Sequence, residues 1–323
     1  MLIEVSKDIY RKHFSTDLNP YISEAFIGLV ECKTDKIIRL MKSDDNSMGL
    51  IAGLKDNVLC APFSAPFAGF HYSHEYLSYE IVFDFISQLK NFVRESSIKR
   101  VSITLPPGLY QTSMNAKCIN AFVRLGFAMS TPEVINWINL KKFDGTWVKQ
   151  SIASNNRKAL RNQLSFHVVS DEQSINEVYM IIFRNREVQG RKIHMSLNDI
   201  VKVKSIMPVD FFLIKDRNGN GMGAGIFYRG HEKIAQGIFL GDDLDNRSIG
   251  IMDFLYASIY DFYKKMDYDF IDLGASGLNG DPNVGLLRFK EIHNCATSLK
   301  FTFTWSPDFE LTPLSTENYV AKA

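Results

Sequence analysis

The most constraining feature of this sequence is an order of predicted elements that occurs twice. Each half begins with apolar strand segments joined by polar turns, then has a long helix, a strand, a shorter helix and a closing strand. In the first half these elements are predicted at residues 37–41, 49–54, 75–94, 98–105, 115–125 and 134–140, with a further strand that starts at residue 58 and runs into a Pro/Gly/aromatic loop up to residue 70. In the second half they are predicted at residues 211–215, 223–228, 234–240, 249–266, 270–273, 284–292 and 299–305. The repeated order indicates an internal duplication.

The duplication predicts the fold class and the division of the chain. We expect an α/β (α+β) protein with two homologous domains, each a mixed twisted sheet flanked by helices. The predicted domains are residues 1–142 and 143–310, followed by a C-terminal tail at 311–323. The length of 323 residues suits two domains.

Charge and composition exclude several classes of protein. Hydrophobic residues make up 46% of the chain and charged residues 23%, which is typical of a globular protein. Lys and Arg number 37 against 36 for Asp and Glu, so the net charge of +1 creates no overall field toward nucleic acid or membrane. The sequence has neither a signal-peptide pattern nor an apolar run of ~18 residues. We therefore expect a cytoplasmic protein without a DNA partner or integral membrane association.

Metal binding and disulfides are not expected. The 4 cysteines are far apart and form no Cys-x-x-Cys pair, which favours reduced thiols. Among the histidines only His71 and His74 have metal-ligand spacing, and no third ligand is near them in sequence.

Residues 269–278 and 287–294 read as a buried strand, a glycine-rich turn and a helix that carries an Arg-x-Lys pair. In α/β proteins this arrangement presents polar side chains at the carboxyl end of a strand. Asp272 and Ser276 lie on the strand and turn, and Arg288 and Lys290 on the helix. Spacing alone leaves two interpretations open: a rim of an active site, or an ordinary unit with solvated charges.

A basic segment precedes the second repeat. Arg157 and Arg161 are four residues apart on a predicted helix and therefore share a face, where two guanidinium groups suit a phosphate or carboxylate. A solvated helix face is the alternative. A second basic cluster, at residues 183–192, ends another predicted helix, where the helix dipole favours cations without any ligand.

This order of elements resembles that of Gcn5-related N-acetyltransferase (GNAT) domains. Two domains in tandem, with Arg-x-x-x-Arg at 157–161 and Leu-x-Arg-Phe-Lys at 286–290, resemble the FemAB-like acyltransferases. The resemblance extends from about residue 26 to residue 305.

The resemblance implies roles for particular residues. Lys290 would neutralise a phosphate or an oxyanion that develops on the acyl group, and Asp272 would accept a proton from the attacking amine. Arg157 and Arg161 would hold an anionic part of a substrate. Arg288 and Ser276, from the predicted helix and turn, are further candidate substrate-binding residues.

The same resemblance implies an acyl-CoA donor, whose pyrophosphate GNAT domains hold on a glycine-rich loop before the long helix. Residues 241–251 keep Arg247 and Gly250 as candidate cofactor-binding residues. However, they lack the glycine pattern and include three aspartates, which would repel a pyrophosphate. Acyl-CoA therefore remains possible but without its usual loop. Aminoacyl-tRNA is the other donor, although no charged heptad insertion for binding tRNA occurs between residues 161 and 211.

The sequence thus predicts an N-acyltransferase that moves an acetyl or aminoacyl group to an amine on a carbohydrate, cell-wall precursor or peptide. The acceptor is expected in the cleft between the domains. Two alternatives remain: a non-catalytic tandem module that binds a nucleotide-sugar or glycan, and an aminoacyl-tRNA-dependent transferase of the peptidoglycan type.

Overall fold

The structure is a computed structural model that describes residues 1–14 and 19–308. It contains two compact units. Among the described residues, the first comprises Met1–Glu133 with Asn279–Asp281 and residues 298–308, and the second comprises Val134–Leu278 with Pro282–Thr297. The boundaries at 142/143 and 310/311 stay predictions, and the predicted tail at 311–323 lies outside the described residues.

The secondary structure follows the predicted order. The helices are α1 (Lys7–His13), α2 (Glu24–Val30), α3 (Tyr79–Glu95), α4 (Thr112–Arg124), α5 (Gln150–Arg161), α6 (Glu172–Val188), α7 (Leu197–Val203), α8 (Ile251–Lys265) and α9 (Val284–Ile292). The strands of the first half are β1 (Leu2–Glu4), β2 (Lys36–Lys42), β3 (Met48–Lys55), β4 (Val58–Ala61), β5 (His71–Tyr72), β6 (Arg100–Thr104), β7 (Ala128–Met129) and β8 (Glu133–Asn139). Those that follow are β9 (Ser165–Val169), β10 (Val209–Lys215), β11 (Gly221–Tyr228), β12 (Ile234–Asp242), β13 (Phe270–Ala275), β14 (Gly277–Leu278), β15 (Asp281–Pro282), β16 (Ala296–Lys300) and β17 (Thr302–Trp305).

Each unit is built on a mixed sheet. The first sheet has the order β1-β2-β3-β4-β6-β17-β7, with β5 also paired to β3, and the second has the order β16-β8-β13-β12-β11-β10-β9. In each sheet one parallel pair, β4 with β6 or β12 with β13, interrupts antiparallel neighbours. The predicted mixed sheets flanked by helices are therefore present.

The two predicted closing strands occupy the opposite sheets from those expected. Strand β8, expected to close the first sheet, pairs with β13 in the second. Strand β17, expected to close the second sheet, pairs with β6 in the first. Alternating apolar residues predict that a segment is a strand and which face is buried, but they do not specify its partner. The exchange was therefore invisible in the sequence pattern.

The long helices begin where their capping residues place them. The side chain of Ser78 accepts a hydrogen bond from the backbone of Ile81, so α3 starts at Tyr79 rather than at the predicted residue 75. Gly250 has φ +85°, in the left-handed region, and α8 starts directly after it. Both helices bury an apolar stripe against their own sheet, such as Phe85 and Leu89 of α3.

Across the ranges that the structure describes, none of the helices combines the length and the apolar character needed to cross a membrane.

Candidate active site

The parallel strands β12 and β13 of the second unit pair over only three residues each. Their ladder ends at Gln236 and Asp272, although both strands continue. Beyond that point β12 stays paired with β11, and β13 stays paired with β8. Residues 237–240 are half-buried, whereas the residues on either side of them in β12 are buried. We call the gap between residues 237–240 of β12 and residues 273–275 of β13 the fork.

Each strand has an irregularity where the fork begins. On β12, Phe239 and Gly237 pair with consecutive residues of β11, so Ile238 is an extra residue. On β13, the register against β8 shifts between Asp272 and Ala275. Such bulges bend a strand and redirect its backbone groups. Beyond Gln236 and Asp272, the backbones of β12 and β13 therefore depart from the regular geometry of the sheet.

A lysine holds the β13 side of the fork. The ammonium nitrogen of Lys290, on α9, donates to the carbonyl oxygens of Leu273 at 2.7 Å, Gly274 at 3.1 Å and Ala275 at 3.3 Å. An ammonium has three hydrogens, so these three bonds use all of them. Lys290 is only 4% exposed, and its position fixes the irregular end of β13.

Burial lowers the pKa of Lys290 to about 8, because the charged form loses hydration. The nearby Arg186 lowers this pKa further, while Cys295 and Asp272 act in the opposite direction. The side chain therefore changes charge close to physiological pH, unlike an exposed lysine.

Asp272 is the last residue of the parallel ladder and is buried. One carboxylate oxygen accepts the backbone N–H of Gly274 at 2.8 Å, and the other accepts the side-chain amide of Gln236 at 3.2 Å. Gln236 was not predicted as a site residue. Its signal in the sequence is a single polar side chain within the apolar segment 234–240.

Glycines lie on both sides of the fork. A Cβ added at Gly274, which has φ +69°, would find only the carbonyl oxygen of Gly237 within 4 Å, at 3.9 Å. Gly274 thus faces across the fork toward β12. Glycine in such a position allows another chain or a ligand to approach the backbone closely.

The other predicted substrate-binding residues lie in different environments. The hydroxyl of Ser276 is fully buried and donates to the side-chain oxygen of Asn136, so it has a structural partner. Arg157, Arg161 and Arg288 are exposed, the first two on α5 and the third on α9. Their roles as a substrate clamp stay predictions.

A partly buried chain of hydrogen bonds joins α5 to α8 and α9, and the sequence did not reveal it. Asp253 of α8 accepts from the side-chain amide of Asn155 at 2.5 Å and contacts the Nε2 atom of His293 at 2.7 Å. The other ring nitrogen of His293 donates to the carbonyl of Phe289 at 2.7 Å. This network holds the basic helix α5 against the start of α8.

The predicted cofactor-binding residues do not form a cradle for a pyrophosphate. Arg247 donates to both carboxylate oxygens of the buried Asp242, at 2.9 and 3.0 Å, so its guanidinium is engaged by an acidic partner. A Cβ on Gly250 would lie 2.7 Å from the carbonyl oxygen of Asn155, because α5 packs on this turn. The residues present at 241–251 therefore do not fit the pyrophosphate of acyl-CoA.

Within residues 1–14 and 19–308, no group of three or more His, Cys, Asp or Glu side chains is arranged to hold a metal ion.

Comparisons with known proteins give matches at the level of structure. No protein-family model matches the sequence. No curated protein matches it significantly. FemX superposes with a TM-score of 0.66 at 10% identity, covering 95% of this chain and 97% of the FemX chain. L-PGS from Bacillus licheniformis superposes with a TM-score of 0.60 at 13% identity, covering 95% of this chain and 94% of the L-PGS chain.

A tandem GNAT protein from the clavulanic acid biosynthesis pathway gives a TM-score of 0.55 at 9% identity, covering 95% of this chain and 98% of that protein. At such low identities these likenesses establish the fold alone. They confirm the predicted fold class and its resemblance to tandem GNAT proteins.

Proposed function

Because the chain has the FemAB-like tandem GNAT fold, we propose that it is an N-acyltransferase and that the acyl group reacts at the fork. The observation that carries this proposal is the early end of the parallel ladder between β12 and β13, with a bulge in each strand and glycine on both sides. Ligands in α/β sheets bind at the carboxyl ends of parallel strands, where such a gap lies.

The fork offers suitable groups for a carbonyl that becomes tetrahedral. Backbone N–H groups on a strand edge that has lost its partner are preorganised donors of the kind that stabilise an oxyanion, although the N–H of Gly274 is already bonded to Asp272. Lys290 supports them in two ways: its bonds to three carbonyls fix the backbone, and its charge favours a developing negative charge nearby.

In the proposed reaction the acceptor amine attacks the activated carbonyl, a C–N bond forms, and the bond to the leaving group breaks. Asp272 is the candidate base for the proton that the amine loses, because its carboxylate lies at the start of the fork. The leaving group departs with that proton, which Asp272 releases, so the carboxylate returns to its starting form. Arg157, Arg161 and Arg288 are proposed to hold anionic parts of the substrates.

The donor is proposed as an activated carbonyl compound that does not depend on the usual pyrophosphate loop. The Arg247–Asp242 pair and the packing of Asn155 on Gly250 argue against that loop. The proposed donor is either an aminoacyl-tRNA or an acyl-CoA that is bound through other residues. Each would place its reactive carbonyl at the fork. The proposed acceptors are amines on carbohydrates, cell-wall precursors or peptides.

The test is an acyl-transfer assay with acetyl-CoA or charged tRNA as donor and a panel of amino sugars and peptide amines, followed by mass spectrometry. Asp272→Asn is expected to lower kcat by roughly 10²-fold, as removal of a general base does. Asp269→Asn is the matched control, because Asp269 lies at the other end of the same strand region and pairs with Lys141. Equal activity of both variants would remove Asp272 from the reaction.

The second candidate is a non-catalytic module that binds a nucleotide-sugar or glycan. It is favoured by the 241–251 turn, because the Arg247–Asp242 pair and the packing of Asn155 on Gly250 leave no usual site for an acyl-CoA donor. Saturable binding of a nucleotide-sugar or glycan, with no transfer from any donor, would favour it over the acyltransferase.

A further inference from the structure

Arg186, near the end of α6, is a half-buried cation beside the fork. Its guanidinium carbon lies 5.9 Å from the ring centre of Phe239, which belongs to the β12 side of the fork. Phe239 is half-buried, so the guanidinium reaches the region where β12 and β13 are no longer paired.

Within the part of the chain that the structure describes, the Arg186 guanidinium makes neither an ion pair nor a hydrogen bond. Its charged neighbours are cations. The charge of Arg191 lowers the pKa of Arg186, and the charge of Arg186 lowers the pKa of Lys290. Burial and Arg191 lower the pKa of Arg186, but arginine keeps its proton in proteins. A positive charge that has lost part of its hydration without an acidic partner is unfavourable by itself.

Two buried carboxylates of the same unit, Asp242 and Asp272, are engaged by other groups. Asp242 is held by Arg247 and by the side-chain amide of Asn185, the residue before Arg186. Asp272 accepts from Gly274 and Gln236. Neither carboxylate forms an ion pair with Arg186, which leaves its charge available to an anion from a bound molecule.

We propose that Arg186 binds an oxyanion group, a carboxylate or a phosphate, of the substrate that reacts at the fork. The planar guanidinium suits both groups because it can offer two parallel N–H bonds. The inference rests on the proposed function for the statement that the ligand is a substrate, but the anion site itself does not depend on catalysis. An anion site at Arg186 implies that the substrate carries a negative charge close to its reacting group.

Direct binding tests the site first. Isothermal titration with malonate and with inorganic pyrophosphate is expected to show saturable binding to the wild-type protein. Arg186→Gln should weaken this binding roughly 10- to 100-fold, the usual effect of losing a charge-assisted pair of hydrogen bonds. Arg186→Lys should lie between the two, because a lysine keeps the charge without the planar fork of donors.

Arg184→Gln is the matched control, since Arg184 is an exposed arginine on the same helix. Its binding should equal that of the wild type within about twofold. Absence of binding to the wild-type protein, or equal weakening in the Arg184 and Arg186 variants, would overturn the proposal.

Transfer kinetics then identify the source of the oxyanion. Each amine acceptor is paired with a neutral analogue, an amino acid with its amide and a phosphorylated amino sugar with its parent. If the acceptor carries the anion, Arg186→Gln raises KM for the charged acceptor and leaves the neutral one unchanged. If the donor carries it, KM for the donor rises with every acceptor. Anion binding without any transfer would leave the site intact and refute the proposed function.

Discussion

The parallel strand pairs of the two units have the same place in the same topology but end differently. In the first unit, β4 is paired with β6 along its whole length, from Val58 to Ala61. The chain then returns, and the backbone N–H of Ala68 donates to the carbonyl of Thr104 at 2.9 Å, just beyond that pair. The side chain of Asn19 in turn donates to the carbonyl of Ala68 at 2.6 Å.

The first unit thus fills the space beside its parallel pair with its own loop, whose Phe67 and Phe70 are buried. The second unit leaves the equivalent space half-buried and supports it with the Lys290 side chain. Duplicated topology therefore does not imply duplicated chemistry: one pair is a closed structural element, and the other is the candidate site.

The largest expected effect comes from removing the support of the fork. Lys290→Met removes three hydrogen bonds and a charge, so transfer should fall by roughly 10²-fold. Lys90→Met in the first unit, which removes a lysine bond to the carbonyl of Leu125, is the control and should leave kcat unchanged. Steady-state kinetics of both variants make the comparison. Equal losses in the two would indicate a general effect of stability.

The charge of Lys290 predicts opposite pH trends for stability and activity. Its pKa is lowered from 10.5 to about 8, so between these values the unfolded chain binds more protons than the folded one. The unfolding free energy should therefore rise with pH across this window, by about 3 kcal/mol from this group. Transfer should decline over the same range, because a neutral amine cannot donate to three carbonyls.

Denaturant unfolding and kcat measured from pH 7 to pH 11 check these trends. The difference between wild type and Lys290→Met isolates the contribution of this residue. A wild-type stability profile that parallels that of the variant would show that Lys290 titrates as an ordinary lysine.

A smaller effect is expected at the turn before α8. Arg247→Ala leaves the buried carboxylate of Asp242 without its main partner and should reduce the unfolding free energy by about 1–3 kcal/mol. Affinity for CoA compounds, measured by calorimetry, should not change, because Arg247 is engaged by Asp242. A tenfold loss of affinity for CoA in this variant would show that Arg247 does contribute to cofactor binding.

The sequence predicted much of the fold because the duplication and the apolar periodicity are local signals. It also placed Asp272 on a strand and Lys290 on the helix that follows, and both side chains lie at the fork in the structure, while their catalytic roles stay predictions. It did not predict the exchange of β8 and β17, since strand pairing is a long-range property. The burial of Ser276 and the pairing of Arg247 with Asp242 likewise depend on residues brought together only by folding.

The second unit has an open fork where the first unit is closed, and a matched pair of glycine variants probes this difference. Gly69 and Gly274 both have positive φ, +86° and +69°, so alanine at either should cost about 1–2 kcal/mol of stability through backbone strain. A Cβ at Gly69 would contact Pro106 at 3.1 Å within the closed loop, whereas one at Gly274 would enter the fork.

Acyl transfer by the two variants, measured well below their unfolding temperatures, is the decisive measurement. If the reaction takes place at the fork, Gly274→Ala loses most of its transfer activity, whereas Gly69→Ala retains it despite a similar loss of stability. Full activity of Gly274→Ala, or an equal loss in both variants, would contradict the placement of the reaction at the fork.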